Sequence, residues 1–217
     1  MTGDRGGPTK VWRSAAAVLG IVVVMALMTP LVRLVFPRTS KSCPPPSCTS
    51  NLAQLGGLFV ANVADRPWHP RSGPALFLEW RKTRSHIRPG EESVLICPND
   101  DSIDSPDTPE SRARYDTVDL DHPPADLCSY AVRDFERFPL DPAAKEPQLL
   151  AACVGREPNG PYVGRHKRGV SVLFTNGNAR FLTFEELGLT PGVVPTVGPK
   201  SNVPMLRALR FGEPAPR

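Results

Sequence analysis

The longest apolar run in the chain covers 14–32, SAAAVLGIVVVMALMTPLV, without one charged side chain. At 1.5 Å per residue its 19 residues reach about 28 Å, close to the hydrocarbon thickness of a bilayer. It lacks the polar face of a globular surface helix. It therefore predicts a transmembrane helix over 14–36; basic residues are nearly balanced across it, and the dispersed cysteines beyond it place 1–13 in the cytoplasm. No small-x-small cleavage site follows, so the segment reads as an uncleaved anchor. Pro37 and Pro44-Pro45-Pro46 stop any continuous helix and predict a stiff linker over 37–47. Beyond it, Leu52, Leu55, Phe59 and Val63 fall at i, i+3, i+7 and i+11, the period of one helical face. Thr49 or Ser50 can cap that helix, and Gly56 and Gly57 weaken it while allowing close approach to a neighbour. A second helix is predicted over 74–83, with Ser72 as cap and Leu76, Phe77 and Trp80 on one face.

Shorter patterns follow. Val94-Leu95-Ile96-Cys97 reads as a buried strand ended by Pro98, and 127–135 and 149–154 read as two more. Two strand-like runs, 169–175 and 178–182, flank Asn176-Gly177. That dipeptide is the strongest short hairpin signal, because a type I′ turn needs positive φ at both central residues. Thr183-Phe184-Glu185-Glu186 has the spacing of a capping box, and Gly188 can close the short helix it starts. Residues 190–217, rich in Pro and Gly, read as a tail.

Composition adds constraints. The chain has 26 prolines among 217 residues, which favours turns and short elements. A net charge of +4, dispersed along the chain, excludes the dense basic face of a nucleic-acid partner. Aspartates crowd 99–126, but not at the spacing of a calcium-binding EF-hand loop, so the segment reads as a solvated loop. Five cysteines, Cys43, Cys48, Cys97, Cys128 and Cys153, follow the apolar run, none in a CxxC pair. With no matching His spacing, no structural zinc site is expected. Dispersed cysteines beyond an anchor instead fit disulfides in an oxidising compartment, with pairing undetermined by sequence. No Ser/His/Asp set or phosphate loop marks an enzyme, and no cofactor is expected.

Four segments then point to a family. His166 precedes Asn176-Gly177 in RHKRGVSVLFTNGNARFL, giving His-x9-Asn-Gly. Cys48-Thr49-Ser50-Asn51-Leu52-Ala53-Gln54-Leu55-Gly56 and Cys97-Pro98-Asn99-Asp100 lie upstream, and Ser129-Tyr130 between. This ordered set resembles the bacterial pilin-like family, related to type II secretion pseudopilins, whose motifs are C-x-N-N-L-K-Q-I-G, CPSD, SY and a C-terminal His-x9-Asp-Gly. The chain departs from it in lacking the prepilin cleavage signature: Gly7 is followed by Pro8, and 14–32 contains no acid. Asn176 replaces the motif's Asp, a mild change in a turn.

The resemblance implies an α+β fold: an N-terminal transmembrane helix followed by an extracytoplasmic pilin-like domain with an antiparallel sheet over 48–189. It implies a single-pass protein of the inner membrane. The role expected is structural, as a minor component of a secretion or pilus-like assembly. Its partners would be the bilayer, further copies of itself or other assembly components. The alternative is a tethered binding module displaying the acidic loop 99–126. Of the motif residues, His166 is expected to hydrogen-bond near the base of the hairpin. Cys48 and Cys97 are the favoured disulfide pair.

Overall fold

The computed structural model describes residues 45–65, 70–100, 103, 105–106, 108–156, 162–164, 166–190 and 193–212. The chain divides into units Met1–Lys41 and Ser42–Arg217, and the first lies wholly outside the described residues. In the second, helices α1 (Pro45–Asp65) and α2 (Ala75–Lys82) are followed by a 3-10 turn (Glu92–Leu95) and helix α3 (Pro109–Thr117). Strands β1 (Tyr130–Arg133), β2 (Leu149–Arg156), β3 (Tyr162–Gly164), β4 (Gly169–Phe174) and β5 (Ala179–Thr183) come next. A second 3-10 turn (Pro204–Ala208) and a short β6 (Leu209–Arg210) complete the order. The sheet runs β5-β4-β2-β1-β6, antiparallel at every pairing, with β3 on the far end of β2.

The transmembrane helix is the first correction. Residues 14–36 lie outside the described residues, and no helix among the described residues is long and apolar enough to cross a membrane. At 21 residues α1 has the length, but Thr49, Asn51, Gln54 and Asn62 break its apolar surface. Among the described residues the fold expectation is corrected to three helices and an antiparallel sheet, and single-pass placement in the inner membrane loses its support.

One face of α1, formed by Cys48, Leu52, Leu55 and Phe59, is buried against β4 and β5. The strand alternation explains how β4 serves two layers. Ser171 and Leu173 face α1, where Thr49 Oγ1 lies 3.2 Å from Ser171 Oγ. Val170 and Val172 face the other way, into a second apolar cluster with Val203, Leu206 and Leu209. The expected tail thus contributes to the core, supplying Val203, Leu206 and Leu209 to this second cluster, and β6 pairs with β1 at Val132↔Arg210 and Arg133↔Leu209. The sparse apolar residues of a Pro/Gly-rich segment hid that role, because burial here depends on which strand edge they meet.

Other local expectations shift for identifiable reasons. α1 starts at Pro45, inside the expected linker, so Thr49 and Ser50 are interior rather than caps. Ser72 accepts a bond from the Glu136 amide instead of capping α2. Residues 92–95 form a 3-10 turn rather than a strand. The acidic segment contains α3, capped by Thr108 through the Ser111 amide, with Pro109 in its first turn. The hairpin exists, but its loop holds three residues. Gly177 N–H donates to Phe174 O and Phe174 N–H to Asn178 O, and among residues 175–177 only Gly177 is left-handed, at φ 81°. That is a type I turn with a glycine bulge, not type I′. The capping box forms as its spacing predicts, with Thr183 N–H donating to Glu186 and Glu186 N–H to Thr183 Oγ1, but it closes a single turn ending at Gly188.

Every described aspartate in 99–126 has a partner. Asp100 accepts from Ser129 at 2.6 Å, Asp121 pairs with Arg71 at 2.8 Å, and Asp126 pairs with Arg114. Asp119 accepts from the Asp121 amide. Asp116 pairs with Arg81 at 2.7 Å, and Arg81, fully buried, also bonds buried Glu92 at 2.6 Å. The described aspartates of the segment are thus tied to the domain, and the segment carries a helix where a solvated loop was expected.

Two predictions follow from these contacts. A Cβ on Gly56 would meet Gly177 O and Leu173 Cδ1, both at 2.6 Å, whereas one on Gly57 meets nothing within 4 Å. Gly56→Ala should destabilise by about 1–3 kcal/mol in urea unfolding. Gly57→Ala should be neutral or stabilise by up to about 1 kcal/mol. The Arg81 hydrogen bond, then the charges of Arg81 and Arg84, hold the Asp116 carboxyl below its ordinary 3.8. Its contribution is therefore present above that value and lost as pH falls through the folded value. Thermal unfolding across pH should show Asp116→Asn less stable than the parent at neutrality, with the two converging in acid.

Candidate metal centre

The site is built where α1 crosses the sheet. Helical spacing puts Cys48 on the buried face of α1, one turn before Leu52. Asn51, on the next turn, reaches across to the 3-10 segment, its amide donating to Ser93 O and to Ile96 O, each at 3.0 Å. That grip holds the backbone immediately before Cys97. The Asp100 amide then closes a turn onto Cys97 O at 2.7 Å. Cys153 comes from β2, opposite Tyr130 of β1 in the antiparallel register. His166 stands in a bridge with Gly169 at the entrance to β4, its ring edge-on to Phe181 at 5.8 Å.

These four side chains converge. The sulfurs of Cys48, Cys97 and Cys153 and an imidazole nitrogen of His166 all lie within 4.8 Å of one another. The three cysteines have no solvent exposure and His166 only 7%. No disulfide links Cys48, Cys97, Cys128 or Cys153, so the favoured Cys48–Cys97 pair is adjacent but unbonded. Cys43 lies outside the described residues.

The electrostatics suit neutral thiols in the absence of a cation. A hydrogen bond with Cys153 pulls the Cys48 thiol down, but the bond with Cys97, burial and the Cys97 charge outweigh it and push it up. Burial first, then the hydrogen bonds of Cys48 and Cys97, raises Cys153 far above the ordinary thiol range. The Tyr130 phenol beside them is also pushed well up, by burial and then by the neighbouring cysteines. Cys128 stands apart: burial pushes it up to about 12, and its thiol donates to Tyr130 O.

Spacing along the chain gave no warning of this set. The four residues come from a helix, a loop after a 3-10 turn, a strand and a bridge, so no CxxC or His-x-His pair exists. Absent CxxC and His-x-His pairs bear only on ligands that are neighbours in sequence, and these four are not. His166, expected to have no ligand partners, is brought to three. Cys153, in none of the family motifs, was missed as a site residue. One signal was available: each of the three motif segments built on a metal-ligating residue, at Cys48, Cys97 and His166, contributes that residue to the cluster. Asn176 and Gly177 are not at the cluster but form the hairpin loop against α1.

Asn51 should matter through position alone. Asn51→Ala removes both bonds to the segment preceding Cys97 and should lower stability by about 1–3 kcal/mol in denaturant unfolding.

Comparison with protein-family models, with curated proteins and with solved structures found no match to this chain.

Proposed function

We propose that residues 42–217 act as a pilin-like structural module, a non-catalytic subunit of a secretion- or pilus-like assembly. The supporting observation is that the segments resembling that family are one another's contacts. Cys48 of the helix motif meets Cys97 of the CPND segment and His166 of the His-x9-Asn-Gly motif. Asn51 holds the backbone ahead of Cys97. Asp100 accepts the Ser129 hydroxyl at 2.6 Å, joining the CPND and Ser-Tyr segments. Gly56 lies under Gly177, joining the first motif to the last. Short motifs scattered from 48 to 177 and interlocked in this way are what a shared fold would produce, since each residue type is set by its partner in another motif. A helix laid along an antiparallel sheet suits a subunit that offers surfaces rather than a cleft. The binding-module alternative is weaker, because the described aspartates of 99–126 are engaged within the domain.

The test is chemical cross-linking of the full-length chain in its native cells, followed by native mass measurement. The reading expects ladders of self-association or stable complexes with pilin-type subunits. A chain that stays monomeric and cross-links to nothing would overturn it. Stoichiometric binding of calcium through 99–126 by such a monomer would instead support the binding module.

A further inference from the structure

The four converging donors define a site that no motif in the sequence assigns. We propose that Cys48, Cys97, Cys153 and His166 coordinate one Zn(II) ion in a closed tetrahedral Cys3His centre.

The donor set comes first. Three sulfurs and one imidazole nitrogen form one of the sets that structural zinc sites use. Softer copper(I) favours thiolate and thioether ligands, and hard cations favour oxygen, so neither matches this mixture as well. A polynuclear iron–sulfur cluster distributes its ligands around several irons, wider than the spread found here.

The dimensions fit as well. Zinc–sulfur bonds of about 2.3 Å place the corners of a tetrahedron about 3.8 Å apart. The donors here lie within 4.8 Å of one another, so contraction of at most about 1 Å between sulfurs, and about 1.3 Å between sulfur and the imidazole nitrogen, brings them onto one ion. A disulfide uses the atoms differently. It joins two sulfurs at about 2.05 Å and would leave the third thiol and the imidazole stranded in the core. Convergence of four donors on one point is the geometry of an ion, not of a bridge.

Burial decides the type of site. With Cys48, Cys97 and Cys153 fully buried and His166 at 7% exposure, no corner is open to water or substrate. A catalytic zinc keeps one position for water, whereas a structural zinc takes all four ligands from the protein. On binding, the three thiols release their protons to solvent and donate as thiolates, and the imidazole donates as the neutral ring. No electron is transferred. Ser171, which hydrogen-bonds Cys48, supplies a hydroxyl to the anionic sulfur shell.

The centre would staple four pieces that local structure cannot hold together: the start of α1, the segment after the first 3-10 turn, β2 and the entrance to β4. Its role is folding, and it stands independently of the assembly function proposed above.

The experiment uses the full-length chain, purified without chelator and without added metal, and analysed by inductively coupled plasma mass spectrometry. About one zinc per chain is expected. His166→Ala and Cys153→Ser should each lower zinc affinity at least about 100-fold, beyond the cost of losing a supporting residue. Cys128→Ala, outside the set, should retain the metal. Because ligand variants can fail to fold, a second measurement uses the unmutated chain. Exchange with cobalt(II) should give the intense visible bands of tetrahedral cobalt and the near-ultraviolet charge transfer of thiolate ligands. Chelation of the zinc should lower the Tm, and added zinc should restore it. A metal-free native chain with no tetrahedral cobalt spectrum would overturn the proposal. So would stoichiometric iron or copper in place of zinc, or a Cys48–Cys97 disulfide found by non-reducing peptide mapping.

Discussion

The close approach of α1 to β4 is the constraint on which the rest of the domain depends. Gly56 brings the helix backbone against the hairpin loop at Gly177, too near for any Cβ. That proximity lets Thr49 reach Ser171, and it sets Cys48 over the sheet within reach of Cys153 and His166. Moving the helix outward by the width of a methyl group would open the cluster and the apolar contact of Leu52, Leu55 and Phe59 together. The helix-side core and the four-residue site are therefore one packing problem, solved at one seam.

Around that seam the polar groups are arranged as supports. Asn51 ties α1 to the segment leading to Cys97, and Asp100 with Ser129 ties the segment beyond it to the start of β1. Farther out, Arg81 is wholly buried between Glu92 and Asp116, with its guanidinium 5.7 Å from the Tyr115 ring centre. A buried cation of this kind adds little net stability over an apolar replacement, but losing one partner would leave a charge in the core. It fixes how α2, the first 3-10 turn and α3 meet. The acidic segment is thus tied to the scaffold through Asp116, Asp121 and Asp126, which pair with Arg81, Arg71 and Arg114.

The cysteines change meaning once their positions are known. Dispersed along a chain, they suggest disulfides and an oxidising compartment. Gathered around one point with a histidine, they suggest coordination, which needs reduced thiols and gives no indication of compartment.

The sequence by itself determined the local chemistry. The helical period of Leu52, Leu55 and Phe59, the Asn-Gly hairpin and the reciprocal Thr183/Glu186 bonds all appear, because each depends on residues a few positions apart. The segments around Cys48, Cys97 and His166 each bring one residue to the cluster. Local rules failed where a distant partner decides. Residues 92–95 became a 3-10 turn under the grip of Asn51, and the hairpin adopted a three-residue loop that seats Gly177 against α1. The proline-rich end became a core layer because β1 had a free edge for it. The four-residue centre was decided by tertiary structure alone, since its donors come from four elements, and only the packing of α1 on the sheet brings them within 4.8 Å.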